Sequence, residues 1–282
     1  MHSSAALSVN CSSEYGVLKE VLLCAPYYMR IEEVINRTQR YYAETNIDWV
    51  LAMRQHTELV RILRQNNVNV HILPSLEKYP EQVFTRDIGF VIGRRFFVSR
   101  LKKEIRSGET KVLKNWLQER RIEYTELKAG NIEGGDVIIH NKTLWLGISD
   151  RTSESVLSEL AKNCEGYDIR PIVFDEGYLH FDCTFNIISD RDALIYRKAL
   201  KKDDINRLES IFNLIDVSKE EQFKLGTNVL AIGGNRIISS PQNEDVNRKL
   251  KEYGYRVIQC DISEILKSGG AFRCVTLPLV RG

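Results

Sequence analysis

The chain has little of what would commit it to a membrane, to nucleic acid or to an oxidising compartment. Its apolar runs are strand-sized, well short of the ~20 residues that a bilayer span needs. Charge of one sign is missing as well: 40 basic against 38 acidic side chains leave a net +2. No bulk field therefore draws in nucleic acid or an anionic surface, and no nucleic-acid or membrane partner is expected. The cysteines Cys11, Cys24, Cys164, Cys183, Cys260 and Cys274 show no CxxC spacing, which speaks against a structural zinc site and against a disulfide framework. No basic segment followed by an apolar one opens the sequence, so no export signal is read and a reduced, cytoplasmic setting is the expectation. Proline and glycine nowhere gather into a linker, so one domain is preferred to two.

What is present is an ordinary globular composition, 43% hydrophobic and 28% charged. Residues 1–15 read as a disordered or frayed end, polar and small from Met1 to Ser13, and 16–282 as a single domain. Gly16–Pro26 reads as a strand, Tyr27–Thr45 as a loop with a helical turn, and Val68–Leu73 as a strand stopped by Pro74. Between them Ile47, Val50, Leu51, Leu59, Val60 and Leu63 recur at helical spacing and predict a helix over Ile47–Gln65.

From there one unit recurs: a strand, a tight polar turn, a second strand, a helix and a third strand. The paired strands are Ile88–Ile92 with Phe96–Ser99, Val137–His140 with Thr143–Gly147, Phe185–Ser189 with Ala193–Tyr196, and Asn228–Ile232 with Arg236–Ser239. Gly, Asn and Asp occupy the turns, as short hairpins require. Helices are expected over Glu109–Arg120, Ser153–Asn163, Asp203–Phe212 and Asn243–Tyr253. The first copy is split between the two ends, Gly16–Pro26 and Phe272–Val280. Five copies at a spacing of roughly 45–50 residues imply a radial or stacked α/β architecture, with hairpins inside, helices outside and a central cavity.

Four polar strings fall at the edges of these hairpins: Phe84-Thr85-Arg86-Asp87, Glu133-Gly134-Gly135-Asp136, Asp150-Arg151-Thr152-Ser153 and Leu179-His180-Phe181-Asp182-Cys183-Thr184. Each has a plain structural alternative. Asp150 or Thr152 can cap a helix, Gly134-Gly135 can supply positive φ in a turn, and His180 with Asp182 can be a hydrogen-bonded pair on one strand face. Cys274, between Gly269-Gly270 and an apolar run, can be a buried strand cysteine. Together they point elsewhere. Equivalent positions of a radial array converge, and would assemble a thiol, an imidazole, carboxylates and arginines. A thiol with a histidine makes a nucleophile and a proton shuttle. The carboxylates suit a small cation, and an arginine suits a carboxylate carried by the same molecule.

Those strings, with the closing Gly269-Gly270-Ala271-Phe272-Arg273-Cys274, resemble the guanidino-group-modifying superfamily over about Gly16 to the C-terminus. The resemblance implies a pentein fold, a five-fold pseudosymmetric α/β propeller. It implies hydrolysis of a guanidino C–N bond in arginine or a methylated arginine, with no cofactor and no metal, and a homo-oligomer is compatible with it. By the same resemblance Cys274 is the nucleophile, His180 the proton carrier, and Glu133 binds the guanidinium and orients His180. Asp87, Asp182 and Asp136 would contact the substrate, Arg151 its α-carboxylate, and Arg106 is a second arginine expected at the substrate. Asp182 is closer to the deiminases, whereas the short chain is closer to the dimethylarginine hydrolases. An amidinotransferase is the further enzymatic alternative, disfavoured because those chains are longer; a ribosome-binding relative of the fold is the non-enzymatic alternative, and such a protein lacks the Cys/His/Glu set.

Overall fold

The computed structural model of the protein describes residues 7–282. The first elements are β1 (Leu18–Cys24), α1 (Arg37–Tyr42), α2 (Trp49–Gln65) and β2 (Asn69–Leu73). The second unit holds β3 (Gly89–Ile92), β4 (Arg95–Val98), α3 (Glu109–Glu119) and β5 (Tyr124–Glu126), and the third β6 (Val137–His140), β7 (Thr143–Ile148), α4 (Leu157–Asn163) and β8 (Asp168–Val173). The fourth holds β9 (Phe185–Ile187), β10 (Asp192–Ile195), α5 (Lys202–Glu209) and β11 (Asn213–Asp216), followed by α6 (Lys219–Phe223). The fifth holds β12 (Leu230–Gly233), β13 (Arg236–Ser239), α7 (Glu244–Glu252) and β14 (Arg256–Gln259); α8 (Ser263–Leu266) and β15 (Leu277–Arg281) close the chain.

These strands make five three-stranded sheets of one topology: β15-β1-β2, β3-β4-β5, β6-β7-β8, β9-β10-β11 and β12-β13-β14. In each, the middle strand is antiparallel to the first and parallel to the third. The parallel step needs a crossover, which is why a helix follows every hairpin. Hairpin turns fall where Gly93, Asn141, Gly234 and Asn235 take positive φ. The first strand of each sheet is mostly apolar and is buried almost throughout, whereas the third strands are largely half-exposed. The first strands therefore face the middle. β15 packs on β3, β6 on β9, and β1 on β12. Gly134 N donates to Asp87 O (3.3 Å) between the second and third sheets. Asn186 Nδ2 donates to Thr227 O and Val229 O (both 2.8 Å) between the fourth and fifth. Each sheet thus touches the next and the fifth touches the first, an arrangement consistent with pseudo-fivefold symmetry. The short helices α6 and α8 were not signalled by periodicity, being only about one turn long.

One expectation is overturned. Residues 7–14 are not a frayed end, while Met1 to Ala6 lie outside the described residues. Asn10 and Cys11 pair with strand-edge backbone at Val280 and Gly93, and Ser13 bridges His140. Val9, Cys11 and Glu14 are buried. Glu14 is the reason the segment is held. Its Oε1 accepts from Arg86 Nη2 (2.9 Å) and from the backbone N of Ile139 (3.1 Å), and its Oε2 from Arg273 Nη1 (2.6 Å). Arg86 also donates to Gly134 O (3.0 Å) and Val137 O (2.8 Å). One carboxylate so joins the first, second and third units. Burial alone would raise its pKa, but Arg273, Arg86 and Arg281 hold it at about 2.

Because that value lies below the ordinary 4.5, Glu14 contributes stability above pH 4.5 and loses it as pH falls through about 2. Replacing Glu14 with Gln leaves the buried Arg86 guanidinium without an anion and Arg273 with Asp182 alone, and we expect a loss of about 3–5 kcal/mol at neutral pH. Urea unfolding of Glu14→Gln against the wild type measures it, and an unchanged midpoint rejects the role.

Candidate active site

The five units deliver their chemistry at one register. Cys274, Asp87, Asp136, Asp182 and Asn228 each sit no more than three residues before the first strand of their own sheet. Since those strands face the middle, the five positions meet there. Cys274 is not on the strand, which begins at Leu277, but in a helical turn in which Val275 N donates to Ala271 O (3.0 Å). Asn228 pins that turn: its Oδ1 accepts from Arg273 N (3.0 Å) and Cys274 N (3.3 Å), and its Nδ2 donates to Asp182 O (3.2 Å). No polar string marked Asn228, and only the register of the repeats would have found it.

His180 precedes a tight turn over Phe181–Cys183 and is fully buried. Its Nε2 lies 2.7 Å from Glu133 Oε2 and its Nδ1 3.5 Å from Asp87 Oδ1. His180 does not pair with Asp182 on a strand; Asp182 faces Arg273 (3.4 Å) and the sulfurs of Cys183 (3.6 Å) and Cys274 (3.9 Å). Burial works against charge on His180, yet Asp87, the Glu133 hydrogen bond and Asp136 reverse this and raise its pKa well above the usual value. Glu133 is lowered despite its own burial, by the His180 hydrogen bond and charge and by Arg151 and Arg106. The two form an imidazolium–carboxylate pair. Burial raises the pKa of Asp182 and, more strongly, that of Asp136, to about 7.

The arginines divide. Arg151 Nη2 donates to Ile35 O (2.8 Å), while Nη1 lies 3.6 Å from Glu133 and has no hydrogen-bond partner. Arg151 also lines a cavity of about 570 Å³, together with Ile35, Asn36, Lys103 and Tyr178. Arg106 is placed otherwise than expected. Its guanidinium grips Glu109 through two nitrogens (3.1 and 2.9 Å) and donates to Asp87 Oδ2 (2.6 Å), so that it holds Asp87 in place. Asp136 is likewise behind the site: its Oδ1 accepts from Phe181 N (2.8 Å) and its Oδ2 from Ser149 Oγ (3.2 Å), which anchors the His180 turn. Asp150 is exposed near Lys103 (3.7 Å), and Thr152 caps no helix but accepts from Glu133 N (3.1 Å). Gly134 and Gly135 lack positive φ. A Cβ on Gly135 would lie 2.8 Å from the His180 ring and one on Gly134 2.1 Å from Arg86 O, so space decides both glycines.

Two trios present donor atoms within 4.8 Å of one another: Asp87, Glu133 and His180, and Asp182, Cys183 and Cys274. Either has donor types that could ligate a metal ion, but in the first the positive charge is already the imidazolium. Over the cluster lies the α1 segment. Asn36 Nδ2 donates to Ser268 O (2.9 Å), and Gln39 Nε2 donates to Glu81 Oε1 and Ser268 Oγ (both 2.7 Å). Glu81, raised to about 7 by burial, escaped the sequence reading because nothing around it forms a motif.

Five such sheets with a buried thiol, imidazole and carboxylates beside free arginine donors define the guanidino-group-modifying class with the pentein fold. Within it, the profile described as N,N dimethylarginine dimethylhydrolase, eukaryotic, matches residues 25–281, and the chain belongs to that family. The protein YkgA of Bacillus subtilis (strain 168) is 48% identical over 272 residues, 96% of this chain and 95% of its own. The N(G),N(G)-dimethylarginine dimethylaminohydrolase of Pseudomonas aeruginosa is 26% identical over 234 residues, 82% of this chain and 89% of its own. Among solved structures, the N-terminal domain of ArgZ bound to product, a cyanobacterial arginine dihydrolase, superposes with a TM-score of 0.85 at 25% identity, covering 93% of this chain and 97% of that one.

Replacing Glu133 with Gln removes the anion against His180 Nε2. The His180 ring titration, followed by NMR, should move to lower pH, and turnover should fall at least about 100-fold. A wild-type His180 that titrates like a free histidine rejects the ion pair. Buried His56, held near 4, serves as the internal reference.

Proposed function

We propose that the protein hydrolyses a C–N bond in the guanidino group of an Nω-methylated arginine or of arginine, leaving a ureido amino acid (citrulline) and an amine. The observation that carries this reading is a set of buried polar atoms without hydrogen-bond partners: Asp87 Oδ1, His180 Nδ1 and Arg151 Nη1. An unpaired buried polar group is costly, so such a set suits a ligand. Asp87 Oδ1 suits a guanidinium N–H, His180 Nδ1 a leaving amine, and Arg151 Nη1 a carboxylate.

In this reading the Cys274 thiolate attacks the guanidinium carbon. The C–N bond to the amine breaks as His180 gives the nitrogen its proton, leaving a covalent thiouronium on Cys274. His180, now neutral, takes a proton from water. The hydroxide adds to the same carbon, the C–S bond breaks to restore the thiolate, and the added hydroxyl gives its proton to water, leaving the neutral ureido group. Glu133 stabilises the imidazolium at both ends of the cycle, and Asp87, fixed by Arg106, holds the guanidinium in plane. The family profile and the name of the Pseudomonas relative favour methylated arginine. A second reading, arginine itself, is supported by Asp182, whose carboxylate lies 3.9 Å from Cys274 Sγ and could take the N–H groups of an unsubstituted guanidinium. The solved ArgZ relative is named an arginine dihydrolase.

Incubation with arginine, monomethylarginine and asymmetric dimethylarginine decides between them. We expect citrulline with dimethylamine or methylamine, and no product from Cys274→Ser. Citrulline and ammonia from arginine alone selects the second reading; ornithine with urea, or a transferred amidino group, rejects both.

Arg151→Lys loses a planar two-nitrogen donor that an ammonium does not replace. We expect KM to rise roughly tenfold with kcat little changed, about 1.4 kcal/mol of binding shared by ground and transition states. A fall in kcat at constant KM contradicts the carboxylate-binding role.

A further inference from the structure

Cys183 has no part in the chemistry above, yet its sulfur shares the nucleophile's surroundings. The donor atoms of Asp182, Cys183 and Cys274 all lie within 4.8 Å of one another. Both thiols approach the same oxygen, Asp182 Oδ1, Cys183 at 3.6 Å and Cys274 at 3.9 Å. The turn over Phe181–Cys183 and the turn around Cys274 are tied by Asn228, which bonds backbone in both, so the two sulfurs are held together by the fold. They differ in access. Cys183 lines a cavity of about 430 Å³ with Tyr178, Leu179, Phe223, Leu225 and Gly269, whereas Cys274 is not on that wall. The other four described cysteines are buried elsewhere, and burial holds Cys11, Cys24 and Cys260 as thiols with pKa about 12 and Cys164 about 11.

We propose that Cys183 is a resolving thiol for Cys274: a hydroperoxide that oxidises the nucleophile is answered by a Cys183–Cys274 disulfide, a reversible modification in place of irreversible over-oxidation. The first step joins the Cys274 thiolate to one peroxide oxygen and breaks the O–O bond. It gives Cys274 sulfenic acid and, from hydrogen peroxide, hydroxide, the sulfur losing two electrons and the peroxide gaining them. In the second step Cys183 Sγ attacks Cys274 Sγ. Its proton passes to Asp182 Oδ1, and hydroxide leaves the sulfenic sulfur and takes that proton as water. Two thiols and one hydrogen peroxide thus become one disulfide and two waters. The cavity on which Cys183 lies is walled on one side by Asn36, Arg37 and Thr38 of the α1 segment, and it brings a small oxidant or reductant up to the Cys183 side of the sulfur pair. Cys183 is unsuited to react first, because the neighbouring Cys274 sulfur and burial both hold it as a thiol well above the ordinary range. The inference rests on the proposed function only for which sulfur is oxidised first.

The test is hydrogen peroxide titration of the whole chain, followed by alkylation and peptide mass mapping, with iodoacetamide reactivity of the reduced protein measured in parallel. We expect a peptide pair linking Cys183 to Cys274 with two hydrogens lost, complete return of both free thiols and of activity with dithiothreitol, and in Cys183→Ser irreversible sulfinic acid at Cys274 with no recovery. Sulfinic acid at Cys274 beside a free Cys183 in the wild type overturns the proposal even when Cys274 alkylates fast. Should Cys274 react with neither iodoacetamide nor peroxide, the nucleophile assignment falls, and this inference with it. The mapping uses the wild-type chain, so it decides the question even if Cys183→Ser does not fold.

Discussion

A single carboxylate, that of Glu14, determines how the chemistry is held. It is buried between the guanidinium groups of Arg86 and Arg273, and each of those arginines is next in sequence to a residue of the site, Asp87 and Cys274 respectively. Adjacent residues in a tight turn point apart, so an arginine fixed below sets the direction of its neighbour above. Arg86 N also donates to Cys274 O (3.0 Å), which links the two turns directly. Arg273 turns to Asp182 as well (3.4 Å), bringing the fourth unit into the same network. A buried ion pair is often no gain in stability over apolar packing of the same shape. Here its use is positional: three units of separate origin along the chain are set to one centre by charges whose separation would be costly. Arg106 repeats the device on the other flank, where it stands between Asp87 and Glu109 and prevents two buried carboxylates from facing each other unpaired.

How much of this was legible in the sequence follows from the range of each interaction. Hairpins and helices were, because their signals are local: apolar runs such as Val137–Ile139, turn residues such as Asn141, and the apolar stripe of α2. The polar strings were legible as strings, since repeat register carries them to the centre together. What lay beyond reach was long-range or three-dimensional. Glu14 sits in a short polar stretch that looks like any loose end; its two partners lie 72 and 259 residues away. Arg106 lies against Asp87, but which acceptors a guanidinium takes depends on Glu109 and Asp87 being on either side of it, and spacing alone does not tell. Gly134-Gly135 was read through backbone freedom, whereas the steric demand comes from the His180 ring and the Arg86 carbonyl, which belong to other units. Asn228 offered no chemical oddity, and only alignment of the fifth unit with the others would have singled it out.

The closed state of the site has its own consequence for how a substrate is admitted. Cys274 is 1% and His180 0% exposed, so no molecule of arginine's size reaches them while the α1 segment stays where it is. That segment is attached by polar contacts, Asn36 and Gln39 on Ser268 and Glu81 and the Ile35 carbonyl on Arg151, and by the Tyr41 and Tyr42 rings resting on Phe223. Net contributions of about 0.5–1.5 kcal/mol per hydrogen bond place its release within ordinary local opening. Under the proposed function, the Arg151 contact would give that opening its specificity. One of its nitrogens serves the strap and another has no hydrogen-bond partner in the protein. A substrate carboxylate that takes the guanidinium offers a charged acceptor, stronger than the Ile35 carbonyl it competes with. An uncharged tail has nothing of the kind to offer. The residue that would recognise the far end of the substrate is therefore also one of the contacts that keep the site shut, so recognition and admission would be coupled through one side chain.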